Sequence, residues 1–374
     1  MTTFQRTVES YRQGARTMPR EYYTSPAIFA EDLERIHARH WNCVGRSSAF
    51  ATAGDFQVRT LAGESLIIVR DRGGELHAFF NVCRHRGTRI CRETSGQFSE
   101  TIQCPYHAWT YALDGRLVGA PHMNEVEGFE KKNYPLHQAA IAEWEGFVFV
   151  NVAEKPQPFV EWFAPMIGRL SRFNLPSLKV GHRACYEVAA NWKLVFQNYS
   201  ECLHCPTIHP QLSTVLPYTS GANDLASGPF LGGYMEIKAP NESATLTGRA
   251  CSRLVSDALQ GDDRKRAYYY TLMPNMALSL HPDYANFYIL TPVAADRTIV
   301  ETEWMFHADS ERDPKFNPKD AIEFWDVTNR QDWDICEQSQ LGVSSRRYEP
   351  GPYSPRESIP AAWDQHYLLM LGRA

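Results

Sequence analysis

From Asn198 to His209 the chain reads Asn-Tyr-Ser-Glu-Cys-Leu-His-Cys-Pro-Thr-Ile-His. Asn198, Glu201 and His204 follow one another at intervals of three residues, which would place them along one face of a helix. Pro206 is predicted to end this helix, because the residue before a proline is disfavoured in the α conformation. The chain would then turn and bring His209 back towards His204. Two imidazoles and one carboxylate are the ligand set typical of non-haem Fe(II) with open coordination positions.

A second pattern upstream strengthens this interpretation, because two histidines at such a spacing are by themselves more often unrelated than ligands of one ion. Two loops each carry a Cys/His pair, Cys83 with His85 and Cys104 with His107. Such pairs suit a tetrahedral metal or a [2Fe–2S] cluster with two cysteines on one iron and two histidines on the other. Structural zinc uses the same ligand types, but zinc fingers place both cysteines before both histidines, an order that this sequence does not follow. The pattern favours the cluster over structural zinc or a chance pairing.

The composition is that of an ordinary globular protein. A chain of 374 residues is long enough for two domains, since single cores stop growing near about 250–300 residues. The net charge of −5 argues against nucleic acid or an anionic membrane as a partner. We find no signal peptide and no apolar run of about 18 residues. Nine cysteines in such a chain are typical of thiols in a reducing cytosol rather than of a disulfide framework, so a cytoplasmic protein is expected.

In the first half of the chain, the patterning predicts one helix and then a domain of antiparallel strands. An amphipathic helix is predicted over 26–41, with Ser25 as its cap. Short alternating runs between 56 and 82, separated by turn residues, indicate β-hairpins. A strand over 146–152 is predicted to close this domain.

In the second half, helices and strands alternate in longer blocks. Helices are predicted over 159–173, with Pro165 as a point where the helix could kink or restart, and over 317–341. A strand is predicted over 185–189, and several antiparallel strands over 267–306. The region 217–265 is rich in glycine, serine and asparagine and lacks periodicity. Long loops of this kind are often functional, so this region is predicted to be a partly mobile cover over the site.

Taken together, the motifs resemble a known family. Residues 81–87 and 104–115 resemble the Rieske domain of Rieske non-haem iron oxygenases, and residues 198–209 resemble the mononuclear-iron motif of the catalytic α subunits of that family. The resemblance extends from about Tyr22 to the C-terminus.

This resemblance implies an α+β fold with three parts. The first is an N-terminal helical arm over 1–40 that packs on the catalytic domain. The second is an antiparallel β domain over 41–155 with the Rieske [2Fe–2S] cluster. The third is a catalytic domain over 156–374, in which an antiparallel sheet wraps around helices in a helix-grip or START-like arrangement.

The resemblance also implies two metal centres. The Rieske [2Fe–2S] cluster would be bound by Cys83, His85, Cys104 and His107. The mononuclear Fe(II) would be bound by His204, His209 and Asp332.

The carboxylate ligand is chosen on the family pattern of an Asp followed five residues later by Glu and then by Gln. Asp332, Glu337 and Gln340 match this pattern. The residues alone leave the choice open, since Asp326 and Asp334 lie on the same predicted helix.

Glu201 and Asn198 are the further catalytic residues implied by the family. At the position of Glu201 a carboxylate bridges subunits of a homotrimer, accepting from His204 and from His107 of the neighbouring subunit. Most of the family has Asp there. Glu is typical of the branch that resembles carnitine and glycine-betaine oxygenases.

The expected activity is therefore monooxygenation of a C–H bond beside nitrogen, leading to N-dealkylation or N-demethylation of an N-alkyl or quaternary ammonium compound. The reaction would use O₂ and electrons from a separate NAD(P)H-dependent reductase of the flavin or ferredoxin type, because the chain has no flavin or nicotinamide fingerprint. An aromatic-ring-hydroxylating dioxygenase α subunit is the main alternative. An electron-transfer Rieske protein without oxygenase activity and a zinc-stabilised binding protein are weaker ones.

Two further groups of residues allow more than one interpretation. An aromatic cage for a quaternary ammonium group could come from several strand residues, although aromatic side chains in a sheet usually belong to the core and a neutral substrate fits equally well. These candidates are Tyr268, Tyr269, Tyr270, Phe287, Tyr288 and Trp304. Cys202 and Cys205 have the spacing of a redox or zinc motif but are predicted to be ordinary buried thiols.

Overall fold

A computed structural model describes residues 3–373 of the chain. The chain divides into two compact units. The smaller unit is Ile36–Trp162, and the larger unit combines Met1–Arg35 with Phe163–Ala374. No helix within the described residues combines the length and the apolar character that crossing a membrane requires.

Besides a 3₁₀ turn at Thr7–Ser10, the N-terminal segment of the larger unit contains one short strand and two short helices. They are β1 (Gln5–Arg6), α1 (Glu21–Thr24) and α2 (Pro26–Glu31). Ser25 caps α2 as predicted, since its hydroxyl accepts from the backbone N–H of Ile28 at 3.4 Å. A π-helical turn, Asp32–His37, follows α2, so the predicted helix over 26–41 is too long at its end. The side-chain amide of Asn42 donates to the carbonyl of His37, the last residue of this turn, and to that of His40 in the loop after it.

The regular secondary structure of the smaller unit consists mainly of antiparallel strands. They are β2 (Asn42–Arg46), β3 (Asp55–Leu61), β4 (Glu64–Arg70), β5 (Leu76–Phe80), β6 (Ser95–Gln97), β7 (Thr101–Gln103), β8 (Thr110–Ala112), β9 (Leu117–Gly119), β10 (Gln138–Trp144) and β11 (Phe147–Asn151). A seven-stranded sheet has the order β2-β11-β10-β5-β4-β3-β6, and a three-stranded sheet has the order β7-β8-β9. The sequence pattern predicted β3, β4 and β5 within 56–82 and β11 within 146–152, whereas the other strands of this unit were not predicted.

The predicted helix over 159–173 is wrong. The structure has one helical turn, α3 (Phe159–Trp162), followed by irregular turns and a 3₁₀ turn at Ser171–Phe173. Pro165 has no N–H to donate and disfavours the helical conformation of the residue before it. Gly168 has a φ of +76°, a left-handed conformation that also interrupts a helix.

The larger unit contains an eight-stranded antiparallel sheet with the order β1-β13-β14-β15-β16-β17-β18-β12. Its further strands are β12 (Lys179–Val188), β13 (Ala222–Leu225), β14 (Phe230–Glu236), β15 (Arg266–Leu272), β16 (Met276–Leu280), β17 (Ala285–Ala294) and β18 (Arg297–Phe306). Its further helices are α4 (Trp192–Tyr199), α5 (Cys205–Ile208), α6 (Pro210–Val215), α7 (Pro318–Val343) and α8 (Ser358–Met370). The long helix α7 packs against α4 and β12, and α4 also packs against α8. The predicted α+β class with antiparallel sheets is confirmed.

Strands β13 and β14 lie inside the region 217–265, which was predicted to be a loop. Two glycines of β14 explain why the pattern missed it, because they contribute no side chains to an alternating run. A Cβ on Gly232 would lie 2.0 Å from the carbonyl oxygen of Tyr269, and a Cβ on Gly233 would lie 2.0 Å from that of Ala222. The close pairing of these strands therefore requires glycine at both positions.

Candidate active site and metal centres

The segment that links α4 to α5 differs from the predicted helix. Helix α4 ends at Tyr199, so Glu201 and His204 lie beyond it. The carboxylate of Glu201 accepts from the backbone N–H groups of Leu203 and His204 and so competes with helical hydrogen bonding. Pro206 does not end a helix but lies in the first turn of α5, where a missing N–H costs nothing.

This local structure brings three donor groups together. Oδ1 of Asp332 lies 2.8 Å from Nε2 of His209 and 3.2 Å from Nε2 of His204. The two imidazole rings have their centroids 5.2 Å apart. Two imidazole nitrogens and one carboxylate oxygen converge, and this donor set fits Fe(II).

Both histidines are oriented through their other ring nitrogen. Nδ1 of His204 lies 2.5 Å from Oε1 of Glu201, and Nδ1 of His209 lies 2.8 Å from Oε1 of Gln331. An oxygen acceptor at Nδ1 fixes the tautomer that leaves Nε2 available to a metal. Gln331 was not predicted, and its position next to Asp332 in the sequence was the only indication of its role.

Helix α7 presents Asp332 because neighbouring side chains anchor the helix. Oε1 of Glu337 accepts from the backbone N–H of Ala189 at 2.9 Å, and Oε1 of Gln340 accepts from that of Asn191 at 2.9 Å. The family pattern of Asp, Glu and Gln therefore consists of one carboxylate at the site and two residues that fix the helix.

The two alternative aspartates lie elsewhere. Asp326 accepts from the hydroxyl of Tyr186 at 2.6 Å and pairs with Arg330 at 2.9 Å. Asp334 is exposed to solvent. Of the three aspartates considered, Asp332 is the one that faces the histidines.

The electrostatics of the site couple its carboxylates to its imidazoles. Burial alone would raise the pKa of Asp332, but hydrogen bonds with His204 and His209 lower it overall. Burial alone would lower the pKa of His204, but hydrogen bonds with Asp332 and Glu201 raise it to about 10. A metal ion binds neutral imidazole, so metal binding would displace the proton that these carboxylates stabilise on His204.

Cys202 and Cys205 form a disulfide across this same segment, with their Cα atoms 4.9 Å apart. The prediction that both are buried thiols is therefore wrong. The turn between α4 and α5 brings the two Cα atoms into the range that a disulfide can span. The other cysteines are free, and Cys185 is the exposed one among them. Cys205 lies beside the two histidines, but its sulfur is committed to the disulfide.

The second centre lies in two tight turns of the smaller unit. In the first, the backbone N–H of Gly87 donates to the carbonyl of Cys83 at 3.0 Å. In the second, the N–H of Ala108 donates to the carbonyl of Cys104 at 3.2 Å. Asn81, which precedes the first turn, joins its two ends, because its side-chain oxygen accepts from the backbone N–H of Cys91 after the turn at 2.8 Å.

Four side chains from these turns face one another. The rings of His85 and His107 have their centroids 4.7 Å apart, and His85 stacks on Trp109 at 4.9 Å. Sγ of Cys83 lies 3.3 Å from the hydroxyl of Tyr111. Burial raises the pKa of Cys104, and a hydrogen bond with Cys83 adds to this effect.

An unsatisfied atom supports a ligand at this centre. Nδ1 of His85 is buried and has no hydrogen-bond partner within residues 3–373. Buried polar atoms are almost always paired, so a bound group is expected to satisfy this nitrogen. Two thiols and two imidazoles that converge in this way fit a [2Fe–2S] cluster of mixed ligation.

A cavity of about 130 Å³ opens beside His204, His209 and Asp332. Its aromatic lining residues are Tyr199, Tyr218, Tyr234, Tyr269 and Trp325. Of the aromatic side chains considered from the sequence, only Tyr269 is among them. The other candidates are buried in the core: Tyr268, Tyr270, Phe287, Tyr288 and Trp304.

Asn198 and Glu201 both line the cavity. No side-chain hydrogen bond of Asn198 occurs among the described residues, so its amide is available to a bound molecule. The structure thus contains two groups of side chains that could hold metals, one of which adjoins a cavity.

Comparison with known proteins agrees with this arrangement. Residues 175–372 match the family model of the ring hydroxylating alpha subunit (catalytic domain), and residues 40–130 match that of the Rieske [2Fe–2S] domain. The glycine betaine monooxygenase oxygenase subunit of Chromohalobacter salexigens is 30% identical, over 92% of this chain and 83% of that protein. The carnitine monooxygenase oxygenase subunit of Acinetobacter baumannii is 38% identical, over 52% of this chain and 53% of that protein.

A solved structure of a quaternary ammonium Rieske monooxygenase superimposes with a TM-score of 0.82 at 27% identity, covering 99% of this chain and 100% of that one. The chain therefore belongs to the ring-hydroxylating α-subunit family of Rieske oxygenases. It is an oxidoreductase, and its family binds a Rieske [2Fe–2S] cluster and a mononuclear iron. The family predicted from the motifs is confirmed.

Proposed function

We propose that this protein is the oxygenase component of a multicomponent Rieske monooxygenase that hydroxylates a C–H bond beside nitrogen in a small quaternary ammonium compound. The convergence of His204, His209 and Asp332 at the wall of the cavity is the observation that carries this proposal. The relatives that act on glycine betaine and carnitine, by their names, support the substrate class.

Seven side chains are proposed as ligands of the two metal centres. The donor atoms of His204, His209 and Asp332 would hold the mononuclear iron, and the cluster would be held by two cysteines and two histidines, Cys83, His85, Cys104 and His107. When bound, the iron supplies the activation of O₂, and the cluster supplies electrons one at a time.

The surrounding side chains orient these ligands and the substrate. Glu201 and Gln331 hold Nδ1 of the two histidines, which keeps both Nε2 atoms directed at one point. The amide of Asn198 is proposed to contact the substrate, because it lines the cavity without another hydrogen bond among residues 3–373.

Aromatic rings near the iron ligands suit a cationic substrate. Tyr269 packs edge-to-face against Tyr199 at 6.4 Å and against Trp325 at 6.2 Å. All three side chains line the cavity. An ammonium group that loses its water on entering would be stabilised by the faces of such rings.

The reaction would consume O₂, two electrons and two protons, releasing one oxygen atom as water and placing the other on the carbon beside nitrogen. The hydroxylated carbon would then leave as an aldehyde, and nitrogen would keep the electron pair of the broken C–N bond. The electrons would come from a separate NAD(P)H-dependent reductase of the flavin or ferredoxin type.

We further propose a homotrimer in which Glu201 links His204 to His107 of the neighbouring subunit. Tyr106, beside His107, is 53% exposed, so the edge of the cluster loops is accessible to another subunit. The solved structure cited above concerns inter-subunit electron transfer in its own protein. Light scattering coupled to gel filtration would test this assembly, and a monomeric holoenzyme would refute it.

An assay of the reconstituted system tests the activity. Protein containing both metal centres, supplied with a reductase and NAD(P)H, is expected to release formaldehyde or another aldehyde from trimethylammonium compounds in step with NAD(P)H consumption. A naphthalene or indole substrate is the control for the ring-dioxygenase alternative. A cis-diol from the aromatic substrate and no aldehyde from any N-alkyl compound would refute the proposal.

A further inference from the structure

Among the described residues that line the cavity, Arg356 is the single arginine or lysine. It lies in the 3₁₀ turn Pro355–Glu357, which leads directly into α8. Its side chain is half-buried. A charged group in this position is costly unless something compensates it, so its partners are informative.

Within residues 3–373, the guanidinium of Arg356 has neither an ion pair nor a hydrogen bond, and its contact is the ring of Tyr218, 5.6 Å from the ring centroid. Arg266, which also contacts an aromatic lining residue, is different. It lies 3.9 Å from the ring centroid of Tyr234 and pairs with Asp262 at 2.9 Å. Arg356 thus has an aromatic neighbour but lacks the carboxylate that usually completes such a site.

The nearest carboxylate in the sequence is already in use. Glu357 accepts from the backbone N–H of Ser354 at 2.8 Å, and the hydroxyl of Ser354 accepts from the backbone N–H of Arg356 at 3.3 Å. This reciprocal cap fixes the turn. Ser358 is also held, since its hydroxyl lies 2.9 Å from that of Ser10. The backbone below Arg356 is therefore positioned independently of the guanidinium.

The carboxylates of the cavity are committed elsewhere. Glu201 is bonded to His204, and Asp332 is bonded to both His204 and His209. Neither forms an ion pair with Arg356. Of these two carboxylates, Asp332 is a proposed iron ligand and Glu201 is bonded to one, whereas Arg356 is a separate cation without an ion pair among the described residues. An anionic group in the cavity would be attracted by this cation.

We infer that Arg356 binds the carboxylate of a zwitterionic substrate, a small N-methylated amino acid, and so selects it over cations that lack a carboxylate. The inference rests on the proposed function for the chemistry at nitrogen. A guanidinium can donate two parallel hydrogen bonds to a carboxylate. The ammonium end of the substrate would then lie towards the aromatic rings beside the proposed iron ligands. Tyr218 acts as a positioning residue, because its ring supports the guanidinium.

Binding measurements on the holoenzyme test this inference without relying on turnover. The probes are trimethylammonium carboxylates with one to three methylenes between nitrogen and carboxylate, each paired with its methyl ester. The variants are Arg356→Gln and Arg356→Lys, and the control is Arg346→Gln. Arg346 is exposed, lies outside the cavity, and likewise has no ion pair among the described residues.

Arg356→Gln is expected to raise the Kd of the carboxylate that wild type binds best by about 10- to 100-fold, as for the loss of a charged hydrogen-bond partner. The Kd of the matching ester should change less than about threefold. The Kd of the carboxylate should lie between the wild-type and Arg356→Gln values in Arg356→Lys, and should equal the wild-type value in Arg346→Gln. Equal weakening of carboxylate and ester in Arg356→Gln, unchanged carboxylate binding, or wild type that binds no carboxylate would each overturn the inference.

Turnover assays on the same samples separate this inference from the proposed function. Arg356-dependent carboxylate binding without release of any aldehyde would refute the proposed reaction and leave the carboxylate site standing. Release of aldehyde from both carboxylates and esters, with the same kcat/KM in wild type and Arg356→Gln, would support the reaction and overturn the inference.

Discussion

Oδ1 of Asp332 lies 2.8 Å from Nε2 of His209, although 123 residues separate them in the chain. Helix α7 carries the carboxylate, and the segment between α5 and α6 carries the imidazole. Neither group is paired with a solvent-exposed lysine or arginine in the described residues. Burial would raise the pKa of Asp332, and the hydrogen bonds with His204 and His209 therefore keep this carboxylate ionised by lowering that pKa.

Asp332→Ala is predicted to lose the mononuclear iron and to keep the cluster. The alanine removes one of three proposed ligands, whereas the cluster would be held by residues of the other unit. The measurement is iron and acid-labile sulfide per chain together with the visible spectrum. Asp334→Ala, an exposed neighbour on the same helix, is the control. Full iron content and turnover in Asp332→Ala would exclude Asp332 as the ligand.

Glu201→Gln is predicted to leave both metal centres loaded while slowing electron delivery by at least about tenfold. The amide is neutral, so it holds Nδ1 of His204 less strongly than the carboxylate at 2.5 Å does. Stopped-flow reoxidation of the reduced cluster in the presence of O₂ and substrate measures this step. Exposed Glu323→Gln serves as the control. A reoxidation rate equal to that of wild type would refute the bridging role.

Gly115→Ala is predicted to destabilise the smaller unit, whereas Gly74→Ala is the matched control. The two glycines have φ values of +86° and +87°, so both substitutions carry the same backbone strain. A Cβ on Gly115 would lie 2.4 Å from the ring of Phe79, but a Cβ on Gly74 would meet nothing within 4 Å. The extra overpacking is expected to cost about 1–3 kcal/mol. Urea unfolding of the two variants measures the difference, and equal midpoints would contradict the packing described for this turn.

Asp364→Asn is predicted to flatten the dependence of stability on pH. Burial raises the pKa of Asp364 to about 7, although hydrogen bonds from Gln197 and Tyr353 and the charge of Lys193 oppose it. Because the folded-state pKa is raised, the folded protein binds this proton more tightly than the unfolded chain does. The resulting stabilisation is present below about pH 4 and is lost as the pH rises towards 7.

Wild type should therefore lose about 1–4 kcal/mol of unfolding free energy through this group across that window, and the non-ionising asparagine should not. Denaturant unfolding at several pH values measures the effect, with exposed Asp296→Asn as the surface control. An identical pH profile in wild type and Asp364→Asn would show that the buried carboxyl does not titrate there.

The sequence predicted what is encoded locally. Cys83 and His85 share one short turn, and so do Cys104 and His107, so their spacing alone indicated a shared ligand. Alternation predicted the strands within 56–82 but not the short strands β6 to β9, which flank the second turn. The spacing of His204 and His209 indicated a metal site only together with the Cys/His pairs upstream. The helix expected for Glu201 and His204 is wrong because the Glu201 carboxylate takes backbone donors from that segment.

What depends on distant contacts could not be predicted in this way. Choosing Asp332 over Asp326 and Asp334 required the family pattern, since all three lie on one helix. The direction of aromatic side chains is also a tertiary property, and Tyr199, Tyr218 and Trp325 reach the cavity from three different elements. The Cys202–Cys205 disulfide depends on the turn between α4 and α5, which the sequence pattern missed.

Iron and acid-labile sulfide, counted on freshly purified protein with an EPR spectrum of the reduced form, test the central claim of two iron centres most directly. About three iron per two sulfide in each chain, with a reduced signal of average g below about 2, is the predicted result. About two iron per two sulfide after incubation with Fe(II), or zinc without sulfide, would contradict it.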